Sequence, residues 1–302
     1  MNLDKWQGVF FLGAIGDACG HMKSRNGGLC EYSDDTVLTL ATAAALRFCK
    51  VHGWTANNVM KVTQDYVRKD EGTRVSLHPR NYGEKTWKLY NSWHVNSAHE
   101  KGNWDTCGLV MKISPLACLK IIPSLSDVAI AGHFTHGKNE TAVLVAWAHV
   151  CMLKWLMESA DVTREQVLAK LDQLFATSND PFLHATLFAI KQLPFIPTAS
   201  PYHVIFNRCG RTKAVVVYFC AIWFVLPHLT AKGGSTSQTF RDVMTQILTV
   251  DSFHDTDTIA KLAGELLGAK FGWEKLKGDW FSNWTLENVQ ELAATAKMCF
   301  EF

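Results

Sequence analysis

The chain has 302 residues, of which 48% are hydrophobic and 19% charged, and 30 basic against 28 acidic residues give a formal charge of +2. This composition is typical of a globular protein and excludes a disordered or fibrous chain. No run of Lys or Arg supplies the positive surface that nucleic acid or an anionic membrane requires. We therefore expect neither as a partner, and the function must depend on a local site.

Apolar residues recur with helical spacing along most of the chain, and capping residues mark several helix starts. Thr55 precedes one helix, Thr163 and Ser235 each open a capping box, and Thr285 precedes the last helix. Helices are predicted, in chain order, over 4–21, 34–51, 56–68, 107–121, 139–158, 164–176, 183–193, 212–226, 237–250, 258–271 and 286–299. The run Val215–Phe219 has strand-like composition but no partner strand nearby, so it is assigned to a helix. The pattern predicts an all-α fold.

No repeat or Pro/Gly-rich linker divides the chain, although 70–82 and 194–201 are predicted loops. A length near 300 residues is close to the upper limit for one hydrophobic core. We expect one domain over residues 1–302. The longest apolar run, Ala214–Leu226, is too short to cross a bilayer and is predicted to be a buried helix.

The nine cysteines are an odd number and include no C-x-x-C pair. This pattern indicates free thiols in a reducing compartment. The first residues lack the basic and then unbroken apolar pattern of a signal peptide. A cytoplasmic location is predicted.

Small residues recur at helical spacing in three segments, and such residues let helix backbones approach closely. The segments contain Gly13, Gly16 and Gly20; Ala41, Thr42 and Ala45; and Gly264, Gly268 and Gly272. Tight helix packing is the expected role of each.

Two helix starts carry more acid than capping requires. Ser33-Asp34-Asp35-Thr36 opens one helix, and Asp255-Thr256-Asp257-Thr258 opens another. N-capping needs one side-chain oxygen, whereas each tetrad supplies three or four. Clustered carboxylates repel unless a cation neutralises them, and oxygen ligands without a His or Cys cluster favour Mg²⁺, Ca²⁺ or Mn²⁺ over Zn²⁺. Capping alone is the alternative for either tetrad, but two converging tetrads could hold two ions that activate water.

The order of the motifs resembles the signature of the ADP-ribosylglycohydrolases, which include the dinitrogenase reductase activating glycohydrolase and the ADP-ribosylarginine hydrolases. The similar segments are Gly13–Gly20, Ser33–Val37, Thr135-His136, and Asp255–Thr258 followed by Ala263-Gly264 and Gly268-Ala269. Two segments, Ser33–Leu46 and Cys107–Lys112, are most similar to the arginine-linkage branch. The motifs span most of the chain.

The resemblance implies a compact all-α bundle with a binuclear Mg²⁺ site at converging helix N-termini, where Mn²⁺ can substitute. The metal ligands it implies are Ser33, Asp34, Asp35, Asp255, Asp257 and Thr258. The substrate-binding residues it implies are Cys107, Gly108, Met111, Thr135 and His136. The implied reaction releases ADP-ribose from a modified side chain, most readily arginine. We expect a monomer that acts on an ADP-ribosylated protein or an ADP-ribose-containing small molecule.

Cleavage of an ADP-ribosyl bond places positive charge on the ribose, and the reaction needs a carboxylate that activates water. Asp34 and Asp35 are both candidates, and the choice between them stays open. Family members carry a longer segment before the first tetrad, with a Glu on a mobile loop, whereas only the twelve residues His21–Tyr32 stand here. Glu31 is the acid in this stretch and the third catalytic candidate; a solvated loop acid is the alternative.

Because these helix starts are expected to face solvent, Asp34 and Asp257 are predicted to be surface residues. Replacing either with Ala should then remove Mg²⁺ binding with little loss of stability.

Some positions depart from the family pattern. Leu109 and Val110 replace small residues, and Lys112 replaces Arg, which predicts a narrower cleft. Phe253-His254 replaces two glycines before the second tetrad. The shortened segment before Ser33 and the bulky Leu109 and Val110 favour one alternative, a catalytically silent ADP-ribose-binding homologue, whereas the intact acids disfavour it. A second alternative is a binuclear hydrolase of another phosphorylated sugar or nucleotide.

Other candidate chemistry has less support. His133 and His136 lack a third Zn²⁺ ligand at suitable spacing. Cys107 with His99 or His136 could form a thiol nucleophile, but a buried cysteine is commoner. Lys232–Thr236 lacks phosphate-loop spacing and is predicted to be a linker.

Overall fold

The computed structural model describes residues 2–22, 28–73, 80–94, 101–192, 213–229, 237–249, 255–278 and 284–302. In these ranges the regular elements are helices, apart from one short pair of strands and an isolated bridge between Thr106 and Lys213, which confirms the all-α prediction. The helices are α1 (Leu3–Met22), α2 (Asp34–His52), α3 (Ala56–Thr73), α4 (Glu84–Ser92), α5 (Leu125–Ala131), α6 (Glu140–Glu158), α7 (Arg164–Phe175), α8 (Pro181–Gln192), α9 (Ala214–Leu229), α10 (Ser237–Thr249), α11 (Thr256–Phe271), α12 (Trp273–Leu276) and α13 (Val289–Glu301). The strands β1 (Gly28–Cys30) and β2 (Trp284–Leu286) pair in parallel.

One predicted helix is wrong. Instead of an α-helix over 107–121, the chain forms two 3₁₀ turns, Val110–Lys112 and Ser114–Cys118. Pro115 lies in this stretch, and its ring and missing N–H prevent a continuous α-helix.

Of the four predicted helix caps, two are present and one is wrong, and the fourth lies outside the described residues. The Thr163 capping box is present, and Thr55 Oγ1 accepts a hydrogen bond from the Asn58 backbone N–H at 3.3 Å. Thr285 lies in β2 instead, and α13 begins later, after Asn288. Ser235 lies outside the described residues.

Helices α1 and α11 pack backbone to backbone through their glycines. A Cβ built on Gly264 would lie 2.1 Å from the carbonyl oxygen of Leu12, and one built on Gly20 would lie 2.4 Å from Cα of Asp257. Neither position has room for a side chain without movement of the backbone. This close approach brings the end of α1 against the start of α11.

The core contains a buried ionic cluster that links α6 and α11. The carboxylate of Glu265 accepts hydrogen bonds from Ser114 Oγ at 2.9 Å and from Lys261, and it lies 2.8 Å from Nε2 of His149. These partners compensate the buried charge and fix the rotation of α11 in the core.

The two most apolar helices are core elements. Helix α6 is long and apolar enough to cross a membrane by length and composition, but 78% of its apolar window is buried inside the structure. Helix α9 contains the run Val215–Phe219 and is buried along nearly its whole length, as predicted.

Candidate active site

The start of α2 lies in the protein interior. Ser33 is the N-cap, and its Oγ accepts a hydrogen bond from the backbone N–H of Asp35 at 3.2 Å. Ser33, Asp34 and Asp35 are only 0%, 8% and 3% exposed. The prediction that Asp34 is a surface residue is therefore wrong, because α1 covers this helix start.

Asp17 on α1 makes the contacts that hold α1 over α2. Its carboxylate accepts hydrogen bonds from the backbone N–H of Ser33 at 3.1 Å, the backbone N–H of Thr36 at 3.0 Å, and Thr36 Oγ1 at 2.6 Å. Ser33 and Asp17 thus satisfy the free N–H groups of Asp35 and Thr36, and the Asp34 N–H donates to the carbonyl of Arg80. The side chains of Asp34 and Asp35 are not needed as caps.

Asp17 is a site residue to which the sequence analysis assigned no role. Its side chain is completely buried. The available signal was a single acid in the interior of a helix otherwise rich in small and apolar residues, where an unpaired carboxylate would be costly.

The second acidic start is arranged around Thr258. The hydroxyl of Thr258 donates to Asp255 Oδ1 at 3.2 Å, and its backbone N–H donates to Asp257 Oδ1 at 3.0 Å. Asp255 precedes α11 but its side chain makes no capping hydrogen bond. Asp255 and Asp257 are half-buried, so Asp257 is not a surface residue as predicted.

The two acidic starts meet beside α1, and the carboxylates of the second start raise the pKa of Asp34 and Asp35 at the first. For Asp34 burial is the largest cause, followed by the charges of Asp257 and Asp17. The pKa of Asp35 is raised by burial, then by Asp17 and Asp257. Burial and then Asp255 raise the pKa of Asp257 to about 8. Side chains 220 positions apart, Asp35 and Asp255, therefore belong to one cluster.

The oxygen donors of this cluster fit a hard divalent cation. In the part of the chain that the structure describes, no Lys or Arg is among the main charges acting on Asp34 or Asp35, and Asp35 Oδ2 is buried without a hydrogen-bond partner. No three His, Cys, Asp or Glu side chains in these ranges form a ready-made metal cage. A Mg²⁺ ion would neutralise the repulsion and would be met by oxygens only.

Ser33, one of the predicted ligands, already has a structural role. It has no exposed surface, and its Oγ already caps α2. Its assignment as a metal ligand stays a prediction.

Cys107 lies against the second acidic start. Its Sγ donates to Asp255 Oδ2 at 2.8 Å and lies 3.9 Å from Thr258 Oγ1. Burial and then the charge of Asp255 hold the pKa of this thiol well above its ordinary value. A protonated thiol is a poor nucleophile, so Cys107 is suited to contact a substrate and not to attack it.

The ring of His136 contacts two of the other residues predicted to bind substrate, Thr135 and Gly108. Its Nδ1 lies 2.8 Å from Thr135 Oγ1 and its Nε2 lies 3.0 Å from Thr106 Oγ1. A Cβ built on Gly108 would lie 3.0 Å from His136 Cε1, so the ring packs against this glycine. Burial and then Lys112 lower the pKa of His136 to about 3, and the ring is neutral at physiological pH.

The 3₁₀ turn after Gly108 points its apolar side chains into the core. Leu109 and Val110 have no exposed surface, and Leu109 packs on Gly132. The prediction that they narrow the cleft is therefore wrong. Met111 ties the turn to α2, because its backbone carbonyl accepts a hydrogen bond from Thr39 Oγ1 at 3.1 Å.

Glu31 is buried, which excludes a solvated loop acid. Its Oε2 has no hydrogen-bond partner among the described residues. It is not among the main charges that shift the pKa of Asp34 or Asp35. Its catalytic role stays a prediction.

Arg80 holds the segment that leads into α2. Its backbone carbonyl accepts from the Asp34 N–H at 2.8 Å, and its Nη1 donates to the carbonyl of Tyr32 at 2.7 Å. The buried guanidinium also pairs with Asp70 at 3.0 Å and with Glu287. No sequence motif pointed to this cluster, because Glu287 is 207 positions from Arg80 in the chain.

Three segments weighed in the sequence fall outside the described residues. They are Phe253-His254, His99 and Lys232–Thr236.

Comparisons with known proteins agree with this geometry. The model of the ADP-ribosylglycohydrolase family matches residues 2–301. No match was found among curated proteins. Among solved structures, the fold is similar to an "ADP-ribosylglycohydrolase-related protein complex", with a TM-score of 0.66 and 19% sequence identity over 99% of this chain and 98% of that chain. At this identity the likeness concerns the fold alone.

The family match covers nearly the whole chain. It includes both acidic helix starts, helix α1, which packs against them, and the His136 cluster. The chain therefore belongs to the ADP-ribosylglycohydrolase family and is a hydrolase.

Proposed function

We propose that the protein is a Mg²⁺-dependent hydrolase that removes ADP-ribose from modified protein side chains, with ADP-ribosylarginine as the preferred substrate. The family supplies the reaction class. The observation that carries the metal dependence is the convergence of the buried Asp34 and Asp35 with the half-buried Asp255 and Asp257. The similarity of Ser33–Leu46 to the arginine-linkage branch supports the choice of linkage.

Six residues would hold two Mg²⁺ ions, or Mn²⁺ in their place: Ser33, Asp34, Asp35, Asp255, Asp257 and Thr258. Bound divalent ions supply Lewis acidity that orients ribose hydroxyls and activates water. Because Asp17 and Ser33 supply side-chain caps for α2, the carboxylate of Asp34 is not required as a cap and is available for this task.

Asp35 Oδ2 is the best-placed proton acceptor. It is buried and accepts no hydrogen bond from the described residues. Burial and neighbouring carboxylates raise the pKa of Asp35, and a raised pKa makes a carboxylate a stronger base. Asp34 is the alternative acceptor, since its pKa is raised for the same reasons.

The surroundings of Cys107, Gly108, Met111, Thr135 and His136 would receive the ADP-ribose. The neutral ring of His136 adds no positive charge near a ribose that itself becomes positive. The thiol of Cys107 connects this region to the second acidic start, because it donates a hydrogen bond to Asp255.

The test is release of free ADP-ribose from ADP-ribosylated arginine, measured by chromatography with Mg²⁺, with Mn²⁺, and with a chelator. We expect release with either ion and none with the chelator. Asp257→Asn should lose activity, whereas the exposed control Asp65→Asn on α3 should keep it.

Other outcomes separate the alternatives. Binding of ADP-ribose without any release would contradict the proposal and favour the silent homologue. Release from ADP-ribosylserine alone would contradict the arginine preference. Hydrolysis of small phosphoesters with no ADP-ribose release would favour the second alternative.

A further inference from the structure

Two adjoining cavities lie at the end of α2 remote from its acidic start. One of about 530 Å³ lies between α2 and α13, and one of about 480 Å³ lies between α2 and residues 119–123. Lys50 and Phe302 line both cavities, and Lys50 Nζ lies 4.4 Å from the centre of the Phe302 ring, so this pair is where the two cavities adjoin in one surface groove. We call it the basic groove, and its rim carries Arg47, Lys50, Lys120 and Lys297.

The basic groove is separate from the candidate active site. Asp34 and Lys50 lie at opposite ends of α2. Sixteen residues of α-helix span roughly 24 Å at 1.5 Å per residue. A ligand of the basic groove would therefore not touch the acidic cluster.

Apolar side chains in the groove are exposed to solvent. Ile121 is 84% exposed and Ile122 is 48% exposed, and both line the cavity beside Trp54. Exposed large apolar residues beside a concave surface are typical of a contact site. The cavity has room for a bulky apolar side chain of a partner.

The rim is positive. Of the two acids that line the groove, Glu301 lies 3.8 Å from Lys297, and Asp127 accepts hydrogen bonds from Ser124 in the capping box of α5. Arg47 and Lys120 form no ion pair with any described residue. Their charge is available to a ligand.

We propose that the basic groove docks an acidic peptide segment of another protein, one that carries large apolar side chains among its carboxylates. The apolar side chains would fill the cavities beside Ile121 and Phe302, and the carboxylates would pair with Arg47 and Lys120. Opposite charge also steers such a segment to the groove.

Two other occupants fit less well. A membrane surface is flat, and it cannot fill two concave cavities. A second copy of this chain would place the same positive rim against itself in a symmetric dimer, which brings like charges together.

The experiment uses the full chain and a short fluorescein-labelled peptide in which Asp and Glu alternate with Leu and Phe. Fluorescence anisotropy should show saturable binding that weakens as salt is added. A peptide with Lys in place of the acids, and one with Ser in place of the apolar residues, should each bind much more weakly.

Charge reversal localises the binding. The double variant Arg47→Glu with Lys120→Glu should bind the acidic peptide at least about tenfold more weakly. The matched control is Lys61→Glu with Lys85→Glu, which makes the same change of net charge on exposed faces of α3 and α4 and should bind like the parent. Ile121→Ser should weaken binding without changing its salt dependence. Circular dichroism and thermal unfolding verify that each variant is folded.

Several results would overturn the proposal. They are no peptide binding, equal binding by the groove variant and the parent, or equal binding of the Lys peptide. Sedimentation of the protein with phosphatidylserine vesicles in place of peptide binding would assign the groove to a membrane. A dimer that dissociates on groove reversal, again without peptide binding, would assign it to a second copy. Every readout is a binding measurement, so the result does not depend on the hydrolase activity.

Discussion

Two polar residues, Asp17 and Ser33, perform the capping of α2, and this arrangement explains how Asp34 and Asp35 can serve another purpose. A cap needs only oxygen atoms near the first backbone N–H groups, and these are already present on α1 and at the N-cap. The remaining carboxylates repel each other in the interior. Such repulsion destabilises the fold unless a cation binds.

Asp257→Asn tests whether the carboxylates proposed to bind the metal also destabilise the metal-free fold. Above about pH 8, where the Asp257 carboxyl is ionised, the substitution removes one negative charge from the cluster while keeping a similar shape. We expect Mg²⁺ affinity to fall at least about tenfold, while the melting temperature of the metal-free protein rises. Isothermal titration calorimetry and thermal unfolding measure the two effects. Asp65→Asn should change neither, and a lower melting temperature for Asp257→Asn would contradict the repulsion argument.

Arg80 offers a second test. Arg80→Ala would leave Asp70 and Glu287 without their buried partner, and breaking such a pair costs about 3–5 kcal/mol. The exposed pair of Lys88 with Glu84 is the control, where Lys88→Ala should cost less than about 1 kcal/mol. Urea unfolding gives both values. Equal losses would show that the Arg80 cluster is not a structural support of the site.

The lowered pKa of His136 predicts that the stability of the fold depends on pH. Its pKa is about 3 in the folded protein and near 6.5 in the unfolded chain, so below pH 6.5 the unfolded chain takes up the proton first. This group therefore lowers stability as the pH falls from 6.5 to about 3, by at most about 1.4 kcal/mol per pH unit. His136→Gln should flatten the acid limb of a stability-versus-pH curve measured with urea. An unchanged slope would mean that the ring is accessible to protons in the folded state.

For single residues, the sequence predicted which side chains form the site better than it predicted whether those side chains are buried. The acids of both tetrads were found because their number exceeded what capping needs. Their burial was missed, because whether a helix start is covered depends on α1, which packs on it from elsewhere in the chain. Arg80 and Glu287 were missed for the same reason: 207 positions separate them.

The helices α1 and α11 determine the geometry of the site. Their glycines allow contact between backbones, and this contact places the end of α1 beside Asp257. Only a pair of helices without intervening side chains can approach so closely.

Gly264→Ala should therefore push α1 and α11 apart. The added Cβ would lie 2.1 Å from the carbonyl oxygen of Leu12, and we expect a loss of about 1–3 kcal/mol in the free energy of unfolding. In the control Gly72→Ala the new Cβ meets no atom within 4 Å, and this change on α3 should stabilise by up to about 1 kcal/mol. Urea unfolding compares them, and a neutral Gly264→Ala would contradict the close packing.

Most helices were predictable because amphipathic spacing and caps are local signals. The α-helix over 107–121 was not formed because Pro115 outweighed its apolar pattern. Helix α5 was missed although Ser124 and Asp127 form its capping box. The pairing of β1 with β2 was not predictable, since each strand is only three residues long and the partner is distant in the chain.

The whole molecule brings together two acidic tetrads from opposite ends of the sequence. From the sequence, their meeting could be stated only as a condition, because spacing along a chain does not determine distance in space. In the fold, α1 and α11 supply the contact that joins them. A metal bound at this junction would link two distant parts of the chain, so binding should also stabilise the fold.

Added Mg²⁺ should accordingly raise the melting temperature of the parent protein, by an amount that grows with the logarithm of its concentration above the dissociation constant. Differential scanning calorimetry in Mg²⁺ and in chelator measures this shift. Na⁺ at equal ionic strength is the control and should not reproduce it. The shift should be absent in Asp257→Asn.

The most direct test is a crystal of the protein soaked in Mn²⁺ and measured by anomalous diffraction. We predict two anomalous peaks between the start of α2 and the start of α11, within coordination distance of Asp34, Asp35 and Asp257. Anomalous density elsewhere, or none between these two helix starts at saturating Mn²⁺, would contradict the account.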